Sequence, residues 1–401
     1  MPLRLARRRA LLAAAAAPLA LPGCATPVRG PAVPRDKVTG AAVLGVPNER
    51  FLITSREGQQ AIEAEFVAAG ERMRRRLGLR PGQALPRVNL LSVSGGGENG
   101  AFGAGLLCGW SDLGTRPEFN LVTGVSTGAL TAPFAYLGRE RDPQLRAVYT
   151  ELTLRDIALS RGLIAAIFDD ALADTAPLFR TISRYMDEAM LAEIGRAHEG
   201  GRLLLIGSTN LDAQIPVIWN IGAIAASGHP RALETVRRVL LASASIPGAF
   251  PPVMFDVTVA GQAHQELHVD GGAFAQAFLY PSSMGRGRRE RIARGTAARD
   301  VEAYIIRNGR LDPEWAMVER RTLGITGRAI STMIAASGYN DVVRMFNNTQ
   351  RDGIGFNLAF IGSDFTEELP APFDQAFMRA LFQYGYERGR RGYEWAKRPP
   401  I

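Results

Sequence analysis

An α/β fold is what this sequence predicts, and three observations carry that expectation. From Arg87 onward short apolar runs alternate with Ala-rich helical stretches. The first run leads into a glycine-rich turn that opens a helix, and the next ends in a Gly-x-Ser-x-Gly turn that opens another. With 401 residues, 46% of them hydrophobic, the chain can bury a sizeable core, as one large or two modest domains, and wholesale disorder is excluded. Two cysteines, Cys24 and Cys108, exclude a disulfide scaffold and any zinc site built from cysteine alone.

The net charge of +8 is local rather than global. Half of it comes from Arg4, Arg7, Arg8 and Arg9, and the other half from the segment 284–300, where six arginines meet only Glu290 and Asp300. No aromatic side chains are interleaved among those arginines, so a nucleic-acid partner is not expected and the segment reads as a solvated Gly/Arg-rich loop. Arginine forks there would also suit a phospholipid headgroup.

Residues 1–23 read as a lipoprotein-type signal peptide. Arginines are followed by an apolar stretch, Ala10 to Leu21, too short to span a bilayer, and then by Leu21-Pro22-Gly23-Cys24, which resembles a bacterial lipobox with Cys24 as the acylated residue. The expected destination is the bacterial cell envelope, lipid-anchored at the outer membrane or its periplasmic face, with plain secretion if Cys24 is not modified. Cys108, lone and apolar-flanked, reads as a buried small hydrophobe. Residues 24–86 read as a tether, rich in Pro, Gly and Val to about Pro47, then a helix from Gln59 to Leu77 with Ile62, Phe66, Met73 and Leu77 on related faces, ended by Pro81-Gly82.

The first chemical feature follows the run Val88 to Val93. In Ser94-Gly95-Gly96-Gly97-Glu98-Asn99-Gly100 the glycines fit a dinucleotide fingerprint, but the next strand, Phe119 to Thr123, ends in Gly124-Val125-Ser126 with no carboxylate to hold a ribose. A phosphate-binding Walker loop fails as well, because Ala101-Phe102 follow Gly100. What remains is physical: glycines before a helix expose backbone N–H groups at its positive end, a nest for a developing oxyanion, or merely a tightly packed turn.

The second feature is Gly124-Val125-Ser126-Thr127-Gly128 between a strand and an Ala/Leu helix, the context in which a nucleophilic serine is displayed on a strained turn. A serine needs a base. His198, His229, His264 and His268 all read as surface or satisfied histidines, with His264 and His268 flanking a hairpin turn. Asp270, closing a strand and followed by Gly271-Gly272, is displayed like a catalytic group, although Asp-Gly is also the commonest turn dipeptide.

Together these pieces resemble the patatin-like phospholipase family, through Gly95-Gly96-Gly97-x-x-Gly100, Gly124-x-Ser126-x-Gly128 and Asp270-Gly271-Gly272 in that order. The segment Leu241 to Pro252 resembles the one that the family places before its aspartate, and the likeness covers residues 87 to 280. The chain departs from the family at Asn99, where Arg or Lys is usual. The resemblance implies a three-layer α/β fold with a central, mostly parallel sheet flanked by helices. It implies a Ser126–Asp270 dyad, with Ser126 attacking an ester carbonyl and Asp270 accepting its proton. Because a carboxylate is a weak base, burial must raise its pKa for this step to run well. The oxyanion would be held by the N–H groups of Gly95, Gly96 and Gly97, with Gly100, Gly124, Gly128, Gly271 and Gly272 shaping the turns. No metal or other cofactor is implied, and no ligand spacing for one is present.

Later in the chain, Arg202 to Gly207 and Ile215 to Trp219 read as paired strands around a turn at Leu211-Asp212-Ala213, with Asp212 a turn residue. Gly162 to Phe168 reads as buried helix, or as a lid or acyl-chain wall. A strand at Val301 to Ile306, a helix from Thr322 to Phe346, a strand at Ile354 to Ile361 and a helix from Phe373 to Trp395 follow, the last with a core stripe of Phe377, Leu381, Tyr384 and Arg388. The domain expectation is therefore a catalytic domain at 87–283 and an α/β extension at 284–401 packing on it. The functional expectation is an acyl hydrolase of phospholipids or neutral lipids. A small-ester or thioester hydrolase and a non-catalytic lipoprotein interaction module are the alternatives, and the oligomeric state is not legible.

Overall fold

The computed structural model describes residues 29–80, 83–160, 171–295 and 298–400. The signal segment, Cys24, Pro81-Gly82 and the apolar run 162–168 lie outside the described residues. Nine strands form the main sheet: β1 (Arg50–Phe51), β2 (Val88–Val93), β3 (Leu121–Val125), β4 (Leu203–Asn210), β5 (Ile215–Asn220), β6 (Val253–Val259), β7 (Gln262–Asp270), β8 (Val301–Arg307) and β9 (Gly355–Phe360). Their order is β1-β5-β4-β3-β2-β8-β9, with β7 pairing β4 and β6 beyond it. The run β9-β8-β2-β3-β4 is parallel, and β1, β5, β6 and β7 join by antiparallel pairs.

Helices cover both faces, because successive side chains of a parallel strand point to opposite sides and both sides here are apolar. Leu91, Val93, Val122, Leu204 and Ile206 point into one core, with α2 (Gly100–Leu113), α3 (Thr127–Leu137), α4 (Asp142–Thr150), α7 (Glu188–Glu199) and α9 (Ala232–Ser243). Leu90, Leu121, Leu203, Leu205, Ala303 and Ile305 point into the other, with α1 (Arg56–Arg76) and α11 (Thr322–Arg351). The remaining described helices are α5 (Leu154–Ile157), α6 (Ala176–Tyr185), α8 (Ile221–Ala226), α10 (Arg286–Ala293) and α12 (Gln375–Arg390). Leu159–Ser160 and Ala173–Asp174 form a separate short ladder. Among the described residues no helix is long and apolar enough to cross a membrane.

Several expectations are corrected. From residue 29 the expected tether is docked rather than free. Arg29 pairs with Asp212 at 2.7 and 2.8 Å, Ala32 bridges to Gln265 and Ala42 to Thr258, and the buried Arg50 guanidinium pairs with Glu266 at 2.5 Å. Asp212 closes its turn by also accepting the Leu267 N–H at 3.0 Å. The Arg-rich segment is not a solvated loop. Its helix α10 is tied to the end of α11 through Arg288, which donates to the Asp352 and Gly353 carbonyls, and through Arg289, which pairs with the Asp352 carboxylate. The C-terminal third is integral to the main sheet, since β8 lies between β2 and β9.

His264 and His268 lie on one strand, β7, after the turn at Ala260-Gly261 rather than astride it. Leu77, expected on the buried face of α1, is exposed, and Ala69 takes its place beside Ile62 and Met73. On α12 the buried edge is Phe377, Met378, Leu381, Phe382, Gly385 and Gly389. Arg388 is exposed and pairs with Asp364. The reason is that α12 packs backbone to backbone on α2. A Cβ at Gly105 or Gly109 would run into the Phe382 or Tyr386 carbonyl, and one at Gly385 or Gly389 into the Phe102 or Leu106 carbonyl. Cys108, on the same helix, is buried, and desolvation pushes its thiol up to about 12.

Candidate active site

The strand register brings the two distant motifs together. Val125, the last residue of β3, pairs with Gly207 of β4, and the next residue of β4, Ser208, pairs with Asp270 of β7. Ser126 therefore emerges from β3 beside the end of β7. The turn works only with small neighbours: a Cβ on Gly128 would strike the Val93 carbonyl, and one on Gly271 the Gly207 carbonyl. Ser126 itself takes φ 56° and ψ −127°, a conformation that L-residues avoid and that marks stored backbone strain. Two contacts hold it there. Its N–H donates to Ser243 Oγ at 3.0 Å, and its carbonyl accepts the Ala129 N–H at 2.8 Å in the first turn of α3.

The Asp270 side chain is buried behind the serine. Its Oδ1 accepts the Gly272 N–H at 2.7 Å, and the Ser126 hydroxyl lies close enough to influence its ionisation. Desolvation raises this carboxyl to about 7, against the lowering effect of those two groups. Its own N–H is anchored on the Ser245 carbonyl at 2.8 Å.

In front of Ser126 lies an apolar cleft that is open at its mouth. Leu130, Phe134, Leu178, Ile182, Met190 and Leu240 line its walls, and Gly97 and Glu98 reach it from the glycine turn. Glu98 is held above the usual carboxylate range by burial. None of the four histidines lines the cleft.

The glycine turn is only partly as expected. The Gly95 N–H is donated to the Gln276 carbonyl at 3.0 Å, so this amide is not available to an oxyanion. Among the described residues no acceptor takes the N–H of Gly96 or Gly97, and a Cβ on Gly96 would strike the Asn308 carbonyl, so the turn passes only with glycine there. Gly100 packs against Thr127 at the start of α3 and Tyr149 near the end of α4. Residues not singled out from the sequence brace this loop. Arg307 Nη1 donates to the Gly95 carbonyl at 3.1 Å, and Asn308 binds both Ser94 and the Gly103 N–H. Gln276 links the two glycine motifs by accepting from Gly95 and donating to the Gly272 carbonyl at 3.0 Å. No local pattern marks these residues. Ser243 and Ser245 had a partial signal, lying in the segment that resembled the family.

A buried triplet elsewhere looks like a catalytic triad and is not one. His268 sits 2.9 Å from Ser208 Oγ and 3.0 Å from Glu266, but Ser208 also takes the Trp219 indole N–H and is almost fully buried. Burial lowers the His268 pKa and keeps its ring neutral. Burial alone would raise Glu266, but its bonds from His268 and Arg50 hold it down to about 2.

A mixed α/β fold with a mainly parallel sheet and a serine on a strained strand–helix turn defines the class. Residues 91–279 match the family model of the patatin-like phospholipases, and this segment is a patatin-like phospholipase domain. The match supports, at the level of that family, a lipid acyl hydrolase. Two solved structures are similar. VipD from Legionella pneumophila is 12% identical, with 77% of this chain and 68% of that one covered at a TM-score of 0.38. The human GIVD cytosolic phospholipase A2 is 11% identical, with 80% and 52% covered at a TM-score of 0.26. No curated protein sequence matches the chain.

Proposed function

We propose that the protein is a serine-dependent acyl hydrolase of phospholipase A or lipase type, in which Ser126 is the nucleophile and Asp270 the proton acceptor. The observation that carries this reading is the position of Ser126, strained between an apolar cleft and a buried carboxyl group with a pKa of about 7. Near neutral pH a large fraction of Asp270 is ionised, yet the group is basic enough to accept the serine proton. Ser126 Oγ attacks the ester carbonyl as its proton passes to Asp270. The resulting oxyanion is held by the N–H groups of Gly96 and Gly97, at the positive end of the helix that follows, where losing one donor costs about 3 kcal/mol. Collapse expels the alcohol, which takes the proton from Asp270, and leaves an acyl-serine. Asp270 then accepts a proton from water as the oxygen attacks the acyl carbonyl, the acyl–Oγ bond breaks to release the acid, and Asp270 returns the proton to Ser126 Oγ.

The cleft supports a fatty-acyl group over a small acid, because its walls are apolar side chains with few polar groups among them. Export and acylation at Cys24 complete the proposal, on the strength of the sequence pattern at residues 4–24. The test is a fluorophosphonate probe together with a panel of phospholipids, triacylglycerols and short p-nitrophenyl esters. Labelling and turnover that vanish in Ser126→Ala support the hydrolase. Turnover confined to the shortest esters points to a small-ester enzyme, and a folded protein that takes no label is an interaction module. Metabolic labelling with a radioactive fatty acid, lost in Cys24→Ser, tests the anchor.

A further inference from the structure

Helix α11 runs antiparallel to β8 and β9. Phe346 packs on Phe356 near the start of β9, Asp341 accepts the Gln276 and Ala277 N–H groups, and Gly338 lies against the Arg307 guanidinium at the end of β8. The part of α11 from 322 to 337 therefore extends beyond the carboxyl ends of the strands, by about 24 Å at 1.5 Å per residue. That is the end of the sheet where Ser126 emerges. The chain from Asp312 to Arg321 runs beside it, tied by Arg328 to the Glu314 carbonyl, and the two make an arm.

Apart from Arg328, every side chain described between 312 and 336 is exposed. Trp315 is 89% exposed, Met317 86% and Met333 70%, and Ile325, Ile330 and Ile334 face water with them. So much apolar surface on one projection has no folding rationale and marks an interaction site. A second apolar outcrop stands at the same end of the molecule. Leu154, Leu159 and Leu172 are exposed there, with the Leu172 N–H bound to the Gly248 carbonyl in the loop whose Ile246 and Phe250 wall the cleft. Phe274, four residues beyond Asp270, is half exposed.

We propose that the arm docks the protein on a phospholipid bilayer, with Trp315, Met317, Ile330 and Met333 in the interfacial layer and Arg320, Arg321 and Arg328 at lipid phosphates. The proposal rests on the acyl-hydrolase reading of the cleft and names the surface from which its substrate comes. A bilayer, rather than a second copy of the chain, is favoured by three observations. The arm and the outcrop by the cleft stand at one end of the sheet, where a single broad surface could meet both. Asp312, Glu314 and Glu319 balance Arg320, Arg321 and Arg328 over the whole arm, but all three acids lie in its non-helical part, so the helical part, with Arg328 and no acid, is the portion that suits an anionic surface. Its apolar groups are a mixture of Trp, Ile and Met beside charged side chains, which suits the headgroup boundary.

The test uses the full chain carrying Cys24→Ser and Ser126→Ala, so that neither acylation nor hydrolysis contributes, with vesicles of phosphatidylcholine and phosphatidylglycerol containing brominated phosphatidylcholine. Trp110 and Trp219 are buried and Trp395 is partly buried against the core, so the exposed Trp315 dominates any response to lipid. Its emission is expected to shift to the blue and to be quenched, and Trp315→Phe to abolish both effects. Met317→Ser combined with Met333→Ser should weaken vesicle affinity by about tenfold or more. In the Ser126 protein the same pair should cut turnover of vesicle phospholipid while sparing a soluble short-chain ester. Unchanged Trp315 emission, vesicle affinity unaffected by the paired substitution, or an arm-dependent dimer with no lipid response would each overturn the proposal. Absence of ester turnover in the Ser126 protein would instead overturn the hydrolase reading, because vesicle binding is read without hydrolysis.

Discussion

Ser243 Oγ accepts the backbone proton of Ser126 at 3.0 Å and gives its own proton to the Gly207 carbonyl at 2.6 Å. One hydroxyl at the end of α9 thus joins the strained turn after β3 to the strand that carries Asp270's pairing partner. Ser243→Ala leaves a buried N–H and a buried carbonyl without partners, at a cost of about 1–3 kcal/mol. The expected outcome is a kcat lowered by about tenfold with KM little changed, since the cleft is untouched. Steady-state kinetics beside a urea melt checks both parts, and an unchanged kcat would remove Ser243 from the positioning role.

Asp270 makes the reaction and the stability depend on pH in opposite senses. In the proposed mechanism the base works ionised, so kcat/KM should rise with pH through an apparent pKa of about 7 and then level. For stability, the unfolded aspartate ionises near its ordinary value while the folded one keeps its proton up to about 7. The native state therefore binds more protons in that window, and stability falls with rising pH by about 1.4 kcal/mol per unit. Asp270→Asn should abolish turnover and be more stable than the parent at pH 8, with the advantage disappearing by pH 4. Melts at the two pH values that show no difference would contradict the burial argument.

The Arg50–Glu266 pair fastens β1 to β7, both partners being almost fully buried. Glu266→Gln leaves a buried guanidinium facing a neutral group, and a loss of about 3–5 kcal/mol is expected. Because Glu266 is held down to about 2, the pair stabilises fully above the ordinary glutamate value and is lost as pH falls toward 2. Denaturant melts of parent and variant from neutral to acid pH should converge.

The glycines facing each other across α2 and α12 leave no room for a side chain. Gly385→Val should push the helices apart and lower the melting temperature strongly, whereas Ala at the exposed Gly287, where a Cβ meets nothing, should leave it unchanged. Circular dichroism on the two variants decides the matter.

Ile182 and Leu178 stand in the cleft wall. Ile182→Trp fills part of the space and should shift the preferred acyl chain toward shorter esters, with Ser126 probe labelling retained. A chain-length profile that does not move would mean that the acyl group lies elsewhere.

Much of this site was legible along the chain because its parts are local. Gly124, Ser126 and Gly128 declare a strained strand–helix turn within five residues, and Asp270 declares itself by closing a strand before two glycines. Alternating apolar runs gave the strands, since both faces of a parallel sheet must be apolar. Other elements were misread because their partners are remote. The segment after residue 29 looked like a tether until Asp212 and Glu266 supplied counterions, and the arginines of α10 looked solvated until Asp352 came beside them.

What the sequence determined by itself was the set of backbone conformations: where glycine permits a turn, where a helix opens on free N–H groups, and which runs pair as strands. Only the tertiary structure decided which groups remain available for chemistry. Gly95 was an oxyanion donor on paper, but Gln276 takes its proton. Asp270 was a weak base on paper, and removal of its water raises it to about 7. Dihedral preferences belong to neighbouring residues, whereas desolvation and the sharing of hydrogen bonds depend on every atom that folding brings close.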